Sequence, residues 1–263
     1  MYNFEFARPS TLKEALSCLA EEEAQPLSGG QTLIPSMKQR LNAPGTLVSL
    51  LGIDALKGVR ITAGAVTIGA ATNHATVARE TASTFPALSG LAGGIGDPAV
   101  RNRGTIGGSL ANNDPAACYP AAALACGATI TTSQREIPAA DYFEGMFATA
   151  LEEGELITSV TFPIPEAAAY IKFEQPASRF ALAGVFVAKF ADGVRVAVTG
   201  VSEEGVFLWD AAGEALSTEF SADAIASLAL DPDGVLSDLH AGAEYRAHLV
   251  GVLTRRAVTA ARG

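Results

Sequence analysis

The sequence predicts a protein of mixed helices and strands arranged in three segments. Apolar residues at helical spacing alternate along the chain with short β-like runs, and 26 Gly and 13 Pro punctuate these patterns. At roughly 150 residues per domain, the 263 residues suffice for about two domains. Hydrophobic residues make up 49% of the chain, which is enough to form buried cores.

The first segment predicts a small α/β unit. Ser10 is the predicted N-cap of its first helix, with Glu14 one place past the capping-box position. The following elements are an apolar helical stripe at Leu12, Leu16 and Leu19, a turn at Ser28-Gly29-Gly30, a helical pattern over 34–41 and a strand over 46–50.

The other two segments predict β-hairpins combined with helices. The second segment starts near Gly58 with a hairpin around Gly64, and the third starts near Pro165 with a hairpin around Asp192-Gly193. The remaining predicted elements are helices over 72–82 and 120–126, strands over 128–132, 186–190 and 194–201, and a C-terminal helix over 243–261 with a stripe at Tyr245, Leu249, Val252 and Leu253.

Composition excludes several classes of function. A formal net charge of −10 argues against binding to nucleic acid or to anionic lipid. No apolar run approaches the roughly 18 residues of a membrane helix, and the first residues lack the apolar core of a secretory signal. We therefore expect no membrane insertion and a cytoplasmic location. The three cysteines lack C-x-x-C spacing, so neither a disulfide framework nor a zinc or iron–sulfur site is predicted, and redox chemistry would require an organic cofactor.

Two Gly-Gly turns are the main functional signal. They lie in Ser28-Gly29-Gly30-Gln31-Thr32 and in Thr105-Ile106-Gly107-Gly108-Ser109. Glycine lets the main chain approach a ligand closely, and successive free N–H groups form an anion-binding nest. Such turns suit a dinucleotide diphosphate bound by an acidic protein. The alternative is that both are merely tight turns.

A third glycine pattern is rejected as a nucleotide motif. Gly94 to Ala99 matches G-x-G-x-x-A, the Rossmann fingerprint, but this fingerprint requires a buried strand before it and an acidic residue that follows a second strand about 20 positions later. Neither is present in the sequence.

Several polar residues have two open interpretations. Arg101 and Arg103 either neutralise phosphate or form surface ion pairs. The run from Asn112 to Asp114 either hydrogen-bonds a ribose or adenine, or simply forms a turn closed by Pro115. Lys172 lies in a β-like alternation, either facing an electron-rich ring or solvated on the outer face of a strand. No nucleophile motif is present.

Five motifs in order resemble the FAD-binding (medium) subunits of the molybdenum hydroxylases, the family of carbon monoxide dehydrogenase medium subunits and xanthine dehydrogenase FAD-binding subunits. The resemblance runs nearly from end to end of the chain. The motifs are FEFARPSTLKEALSCLAEE, PLSGGQTLIPSMKQRL (similar to a flavin motif with A-G-G-Q-S-L), GDPAVRNRGTIGGSLANNDPAA (built around T-I-G-G), ELITSVTFPIP and SDLHAGAEYRAHLVGVLTRRAV.

The resemblance implies an α+β fold: the three-part FAD-binding architecture of the vanillyl-alcohol-oxidase/PCMH type with a C-terminal α+β domain of the CO-dehydrogenase flavoprotein type. The implied domains are 1–56 and 57–166, which bind FAD, and 167–263. The implied cofactor-binding residues are Leu27, Ser28, Gly29, Gly30, Gln31, Thr32, Leu33, Ile95, Gly96, Thr105, Gly107, Gly108, Ser109, Asn113, Cys118, Ile157 and Lys172.

Within that set, the resemblance assigns roles. Main-chain N–H groups of Ser28 to Leu33 and of Thr105 to Ser109 would cradle the pyrophosphate. Ile95 and Gly96 would lie near the isoalloxazine, Ile157 on the adenosine side, and Lys172 near the flavin. Cys118 departs from the family, which usually has Asp or Glu there, and a thiol does not replace a carboxylate acceptor.

The function implied is electron transfer. An FAD-binding subunit would take electrons from a 2Fe-2S subunit, in a complex with a molybdopterin-binding large subunit, and pass them to an external acceptor. It would bear no catalytic residues and no metal. Two alternatives stay open: an assembly subunit that has lost FAD, suggested by Cys118, and a stand-alone flavin oxidase, for which the sequence offers no persuasive base.

Overall fold

Three β-sheets, one from each predicted segment, form the framework of the molecule. The structure is a computed structural model that describes residues 1–263. Each sheet is associated with its own hydrophobic cluster, but the cluster of the second segment also contains Phe186, Ala188 and Ala197 from the third. The domain boundaries at 56/57 and 166/167 therefore stay predictions.

The first sheet is parallel because helices connect its strands. Its strands are β1 (Glu5–Ala7), β2 (Ala24–Leu27) and β3 (Thr46–Ser49), in the order β1-β3-β2, with helices α1 (Leu12–Leu19) and α2 (Leu33–Lys38) as the crossovers. The predicted α/β unit is thus confirmed.

The N-cap predicted for α1 is wrong by one residue. Thr11 is the cap: its hydroxyl accepts the Glu14 N–H at 3.2 Å, and the Glu14 carboxylate accepts the Thr11 N–H at 3.2 Å. The same carboxylate also accepts the Ser10 N–H at 2.8 Å. Glu14 therefore completes a capping box with Thr11, and Ser10 lies outside the helix.

The second sheet is antiparallel and carries the hairpin predicted around Gly64, whose φ is +84°. The strands of this segment are β4 (Val59–Thr62), β5 (Ala65–Gly69), β6 (Thr129–Thr132), β7 (Glu136–Pro138), β8 (Phe143–Gly145), β9 (Ala148–Thr149) and β10 (Ile157–Pro163). The order in the sheet is β4-β5-β10-β6-β7, and β8 and β9 form a separate two-stranded hairpin.

Five short helices lie between β5 and β6. They are α3 (His74–Thr81), α4 (Pro86–Gly93), α5 (Pro98–Arg101), α6 (Ile106–Asn112) and α7 (Tyr119–Cys126). The G-x-G-x-x-A segment thus follows helix α4 and not a strand, so its rejection as a nucleotide fingerprint is confirmed.

The third sheet is an antiparallel meander with helices on its outer face. Its strands are β11 (Ala167–Glu174), β12 (Ala181–Phe190), β13 (Gly193–Thr199) and β14 (Phe207–Leu208), followed by helices α8 (Asp210–Thr218) and α9 (Ala243–Arg262), and the chain also has 3-10 turns at Asp54–Leu56, Ala139–Asp141 and Asp223–Ile225.

Strand β12 is buried on both faces. Val185 and Val187 belong to the cluster that includes residues of α8 and α9, whereas Phe186 and Ala188 belong to the cluster of the second segment. This double burial explains why the strand has no polar alternation. It also starts at Ala181, five residues before the predicted start at Phe186, because small residues give a weak strand signal.

Helix α9 follows the predicted span but not the whole predicted stripe. Leu249 and Leu253 are buried, whereas Tyr245 is 47% exposed. The buried face instead includes Arg246, whose guanidinium donates to the carbonyls of Leu182 at 2.6 Å and Gly200 at 2.8 Å. None of the helices combines the length and apolar character that a membrane crossing requires.

We expect Arg246→Leu to destabilise the protein by about 3 kcal/mol, because two buried carbonyls lose their donor and the ion pair with Asp238 at 2.7 Å is broken. Urea unfolding measures the change. Arg256→Leu, at an exposed position of the same helix, is the control and should shift the free energy of unfolding by less than about 0.5 kcal/mol. Equal effects of the two substitutions would contradict this assignment.

Candidate functional site

A cavity of about 620 Å³ opens where loops of all three segments meet. It is the place where the structure collects the residues predicted to bind a cofactor. The predicted residues that line it are Leu27, Ser28, Gly29, Gly30, Gln31, Thr32, Leu33, Ile95, Gly96, Thr105, Gly107, Gly108, Ser109, Cys118, Ile157 and Lys172.

The first Gly-Gly turn presents unused donors to this cavity. The main-chain N–H groups of Gly29, Gly30, Gln31 and Thr32 donate no hydrogen bond within the chain. The turn follows β2 and precedes α2, and Gly30 has a φ of +70°, which favours glycine. Successive free amides on a concave loop form an anion nest.

Close backbone contact fixes the first turn against the chain that leads into the second. A Cβ at Gly29 would overlap the carbonyl oxygen of Arg103 and would come within 2.7 Å of the Gly104 Cα. One residue further on, the Thr105 hydroxyl donates to the Ser28 hydroxyl at 2.8 Å. The two turns are thereby joined, although 77 residues separate these two hydroxyls in sequence.

The second turn differs from the expectation that its N–H groups cradle a ligand. Those of Ile106, Gly107 and Ser109 donate to carbonyls of Thr72, Ala70 and Thr105, and that of Gly108 reaches the Thr105 hydroxyl at 3.3 Å. These donors are used because Thr105 caps α6 and because the turn packs on the end of β5. Thr105 and Ser109 of this turn line the cavity. Gly108, which has no side chain, also lines it and lets a ligand approach the backbone closely.

Gly107 serves packing. A Cβ there would lie 2.6 Å from the Cβ of Ala70. The glycine therefore allows α6 to sit against the strand end, and this close contact positions the second turn in the cavity wall.

Asn113 is the one predicted site residue that does not line the cavity. It is buried in the left-handed region with a φ of +42°, and its amide donates to the carbonyls of Gly145 and Ala148, each at 2.8 Å. It thus anchors the β8–β9 hairpin. Its neighbours Asn112 and Asp114 do line the cavity, and the Asp114 carboxylate also accepts the Ala116 N–H at 2.9 Å.

Lys172 is a buried cation in the cavity wall. Its side chain is 6% exposed, and its ammonium donates to the carbonyls of Gly94 and Arg179, each at 2.7 Å. The Glu174 carboxylate lies 3.5 Å away. The interpretation of Lys172 as a solvated lysine on an outer strand face is therefore wrong.

Cys118 lies beside this cation. Its Sγ is 3.9 Å from the Lys172 Nζ, and burial raises the pKa of the thiol despite the neighbouring positive charge. The residue is therefore a neutral thiol at physiological pH. The Glu174 side chain, which forms the ion pair with Lys172, is 44% exposed.

The two arginines near the second turn have separate roles. Arg101 donates to the carbonyls of Ile95 at 3.0 Å and Gly96 at 2.7 Å, and so holds that cavity-lining segment. Arg103 is exposed, while its carbonyl packs on Gly29. Neither arginine forms an ion pair within the chain.

Glu155 is a charged residue of the wall that sequence reasoning missed. Burial alone would raise its pKa, but hydrogen bonds from Arg135, the Glu152 N–H and Thr132 lower the pKa below its ordinary value. Its carboxylate is wholly enclosed and committed to these donors. It therefore shapes the chain leading into Ile157 and is not free to accept a proton.

His74 is the second residue that sequence reasoning missed, because only tertiary contacts place it in the wall. It is 4% exposed, it lines the cavity, and its ring lies 5.4 Å from that of Tyr119. Burial, aided by the positive charge of Arg101, lowers its pKa to about 4. The imidazole is therefore neutral at physiological pH.

Comparisons with known proteins show the family of this chain. A family model described as the FAD binding domain in molybdopterin dehydrogenase matches residues 2–165. The carbon monoxide dehydrogenase medium chain of Afipia carboxidovorans is 34% identical over 99% of this chain and 97% of its own. The glyceraldehyde dehydrogenase medium chain of Sulfolobus acidocaldarius is 31% identical over 97% of this chain and 96% of its own.

The fold matches solved structures as well. A chain of quinoline 2-oxidoreductase from Pseudomonas putida 86 superposes with a TM-score of 0.89 and 28% identity, covering 100% of this chain and 98% of that one. A chain of a Cu,Mo-CO dehydrogenase gives a TM-score of 0.88 with 33% identity, covering 98% and 97%. The expected α+β FAD-binding fold is thus confirmed, and FAD is the cofactor.

The lowered pKa of His74 predicts a pH-dependent stability. Between pH 6.5 and about 4 the unfolded chain binds a proton at His74 that the folded chain does not, so the free energy of unfolding falls as pH falls through this window. We expect His74→Phe to remove up to about 3 kcal/mol of this loss. Urea unfolding at a series of pH values measures it, with Thr81→Val on the same helix as control. Parallel pH profiles of wild type and His74→Phe would contradict the prediction.

Proposed function

The chain belongs to the family of FAD-binding subunits of molybdenum hydroxylases, and from this we propose that it transfers electrons between an iron–sulfur subunit and an external acceptor. The observation that carries the proposal is the row of four free main-chain N–H groups, Gly29 to Thr32, in a cavity formed by all three segments. Such a row fits the pyrophosphate of a dinucleotide without a basic side chain.

Backbone amides suit this acidic chain. The first turn contains no Lys or Arg, and the net charge is −10, so the long-range field does not attract an anion. Fixed N–H dipoles bind a diphosphate over a short distance and require no rearrangement. The hydroxyls of Ser28 and Thr105, already hydrogen-bonded to each other, lie on the same wall.

We propose that the remaining predicted residues line the FAD site in the order the resemblance implies. Ile95 and Gly96 would face the isoalloxazine, and Ile157 the adenosine side. Asn113 would support the site indirectly, because its side chain holds the β8–β9 hairpin in place. The proposed direct contacts are otherwise the predicted residues that line the cavity.

Lys172 is the residue that we propose to tune the cofactor. Bound FAD supplies the capacity to accept and release electrons singly or in pairs. A buried ammonium held by two carbonyls and lacking a buried anionic partner stabilises negative charge that develops nearby. Because the Cys118 thiol stays neutral, it does not cancel this effect.

We infer the partner subunits from the family to which the chain belongs. The structure brings no three His, Cys, Asp or Glu side chains together as a metal site. In the cavity wall, the Glu155 carboxylate is committed to its donors, and burial lowers the pKa of His74 to about 4, which makes it a weak base. We propose that substrate oxidation takes place on a molybdopterin-binding large subunit, with a 2Fe-2S subunit relaying the electrons.

Isolation of the full chain tests the cofactor site directly. We expect a yellow protein that releases about one FAD per chain on denaturation, identified by its chromatographic retention and mass. In its native host, the tagged chain should co-purify with a molybdopterin subunit and an iron–sulfur subunit. A folded, colourless chain that takes up no FAD but still binds these partners would instead indicate an assembly subunit.

Substitution in the first turn should weaken FAD binding. Gly29→Ala forces the turn away from Arg103 and misplaces the free amides, so we expect at least about tenfold weaker binding, equivalent to about 1.4 kcal/mol. Titration of the apoprotein with FAD measures it. Gly90→Ala is the control, since a Cβ there meets nothing within 4 Å. If both variants bound FAD as the wild type does, the first turn would not be the pyrophosphate site.

Removal of the buried cation should make the flavin harder to reduce. We expect Lys172→Met to lower the two-electron potential of bound FAD by about 30 to 60 mV, because about 1.4 kcal/mol corresponds to about 30 mV. A dye-coupled redox titration measures the potential. Lys172→Arg, which keeps the charge, should recover most of it, and Lys189→Met on the adjacent strand should have no effect. An unchanged potential in Lys172→Met would place the cation away from the flavin.

A further inference from the structure

The wall of the cavity contains a buried imidazole that makes no hydrogen bond. His74 is 4% exposed, and its Nδ1 is sealed from solvent without a partner. Its Nε2 also lacks a partner but is not among the sealed atoms, so it is the nitrogen through which His74 meets the cavity. Buried polar groups in folded proteins are nearly always paired, so an unpaired imidazole at a cavity wall indicates a ligand group that pairs with it.

The backbone places this nitrogen directly behind the first turn. The His74 N–H donates to the Gly104 carbonyl at 3.0 Å, and a Cβ at Gly104 would lie 2.6 Å from the His74 Nε2. Gly104 is also the residue against which Gly29 packs. The chain of contacts from His74 through Gly104 to Gly29 thus brings the ring edge close to the row of free amides.

We infer that His74 is an FAD-binding residue whose Nε2–H donates a hydrogen bond to an oxygen in the phosphate–ribityl part of the cofactor. The inference rests on the proposed function, in which the first turn holds the pyrophosphate. It adds a side-chain donor to a site otherwise formed mainly by backbone amides.

The surroundings of the ring select its protonation state. The groups that face it are the Arg101 guanidinium, which disfavours a second positive charge, and the buried phenol of Tyr119. A neutral imidazole carries one proton, and a sealed N–H donor without a partner is rarer than a sealed acceptor without one. The proton therefore belongs on Nε2, which leaves Nδ1 as the bare acceptor.

A pair of substitutions separates hydrogen bonding from packing. His74→Phe keeps a ring against Tyr119 but removes the donor, whereas His74→Gln restores an N–H group on a flexible side chain. We expect His74→Phe apoprotein to bind FAD about tenfold more weakly and His74→Gln to bind within about threefold of wild type, because a net hydrogen bond contributes about 1 kcal/mol. Thr81→Val, buried on the same helix away from the cavity lining, is the matched control and should bind FAD normally.

Binding of cofactor fragments distinguishes whether His74 donates to a phosphate oxygen or to a ribityl hydroxyl. If the acceptor is a phosphate oxygen, His74→Phe weakens binding of FMN or ADP but not of riboflavin. If it is a ribityl hydroxyl, the substitution weakens riboflavin as well and leaves ADP unaffected. Either pattern supports the inference. Equal affinities of His74→Phe and wild type for FAD overturn it.

A spectroscopic readout on the wild-type chain requires no variant to fold. The protein has three histidines, and His240 and His248 are exposed and serve as internal references. In a ¹H–¹⁵N spectrum of the imidazole rings, addition of FAD should shift the Nε2 signal of His74 alone. An unshifted His74 signal in a chain that binds FAD overturns this inference and leaves the proposed function intact. Failure of the wild-type chain to bind FAD at all overturns both.

Discussion

The cavity depends on one close contact between two backbones. Gly29 lies against the Arg103 carbonyl and the Gly104 Cα at a distance that no other residue permits. This contact joins the loop after β2 to the loop before α6, and the hydroxyls of Ser28 and Thr105 hold the junction. The two turns face one cavity because the chain meets itself at this point. A larger side chain would separate the first sheet from the second and widen the site.

The two turns that meet at this junction differ in whether their main-chain N–H groups are free or already bonded. The first turn keeps its N–H groups free because it connects a parallel strand to a short helix and has no neighbouring strand to bond. The second turn packs on the end of β5. Its N–H groups are therefore already hydrogen-bonded, to carbonyls just after that strand and within the cap of α6. Two sequences that look alike as Gly-Gly turns thus have different functions. One presents donors, while the other builds the wall that supports it.

Sequence patterns predicted the parts of this protein that local chemistry determines. The hairpins at Gly64 and Asp192-Gly193 require backbone conformations that glycine favours, and both are present. Long-range contacts determine what the sequence could not show. The burial of Lys172 depends on Gly94 and Arg179, and the second turn lost its donors to Ala70 and Thr72.

The predicted cofactor residues differ in the same way. The structure places 16 of the 17 on the cavity wall. Their contacts with FAD stay predictions. Asn113 turned inward to hold a hairpin, and His74 and Glu155 entered the wall without any motif to mark them. A sequence motif predicts where a residue lies in the fold. The role of that residue depends on which hydrogen-bond partners the tertiary packing leaves available to it.

Three titratable groups of the wall, Glu155, Cys118 and His74, are each held in one protonation state near neutral pH. A general base must be both accessible and able to change its protonation state near neutral pH. Glu155 is ionised but enclosed by its donors, and burial keeps the Cys118 thiol protonated. His74 meets the cavity, but burial and Arg101 hold it in one neutral form. These three groups therefore add no change of charge to the cavity wall near neutral pH. A wall of constant charge suits the electron-transfer role that we propose for the bound FAD.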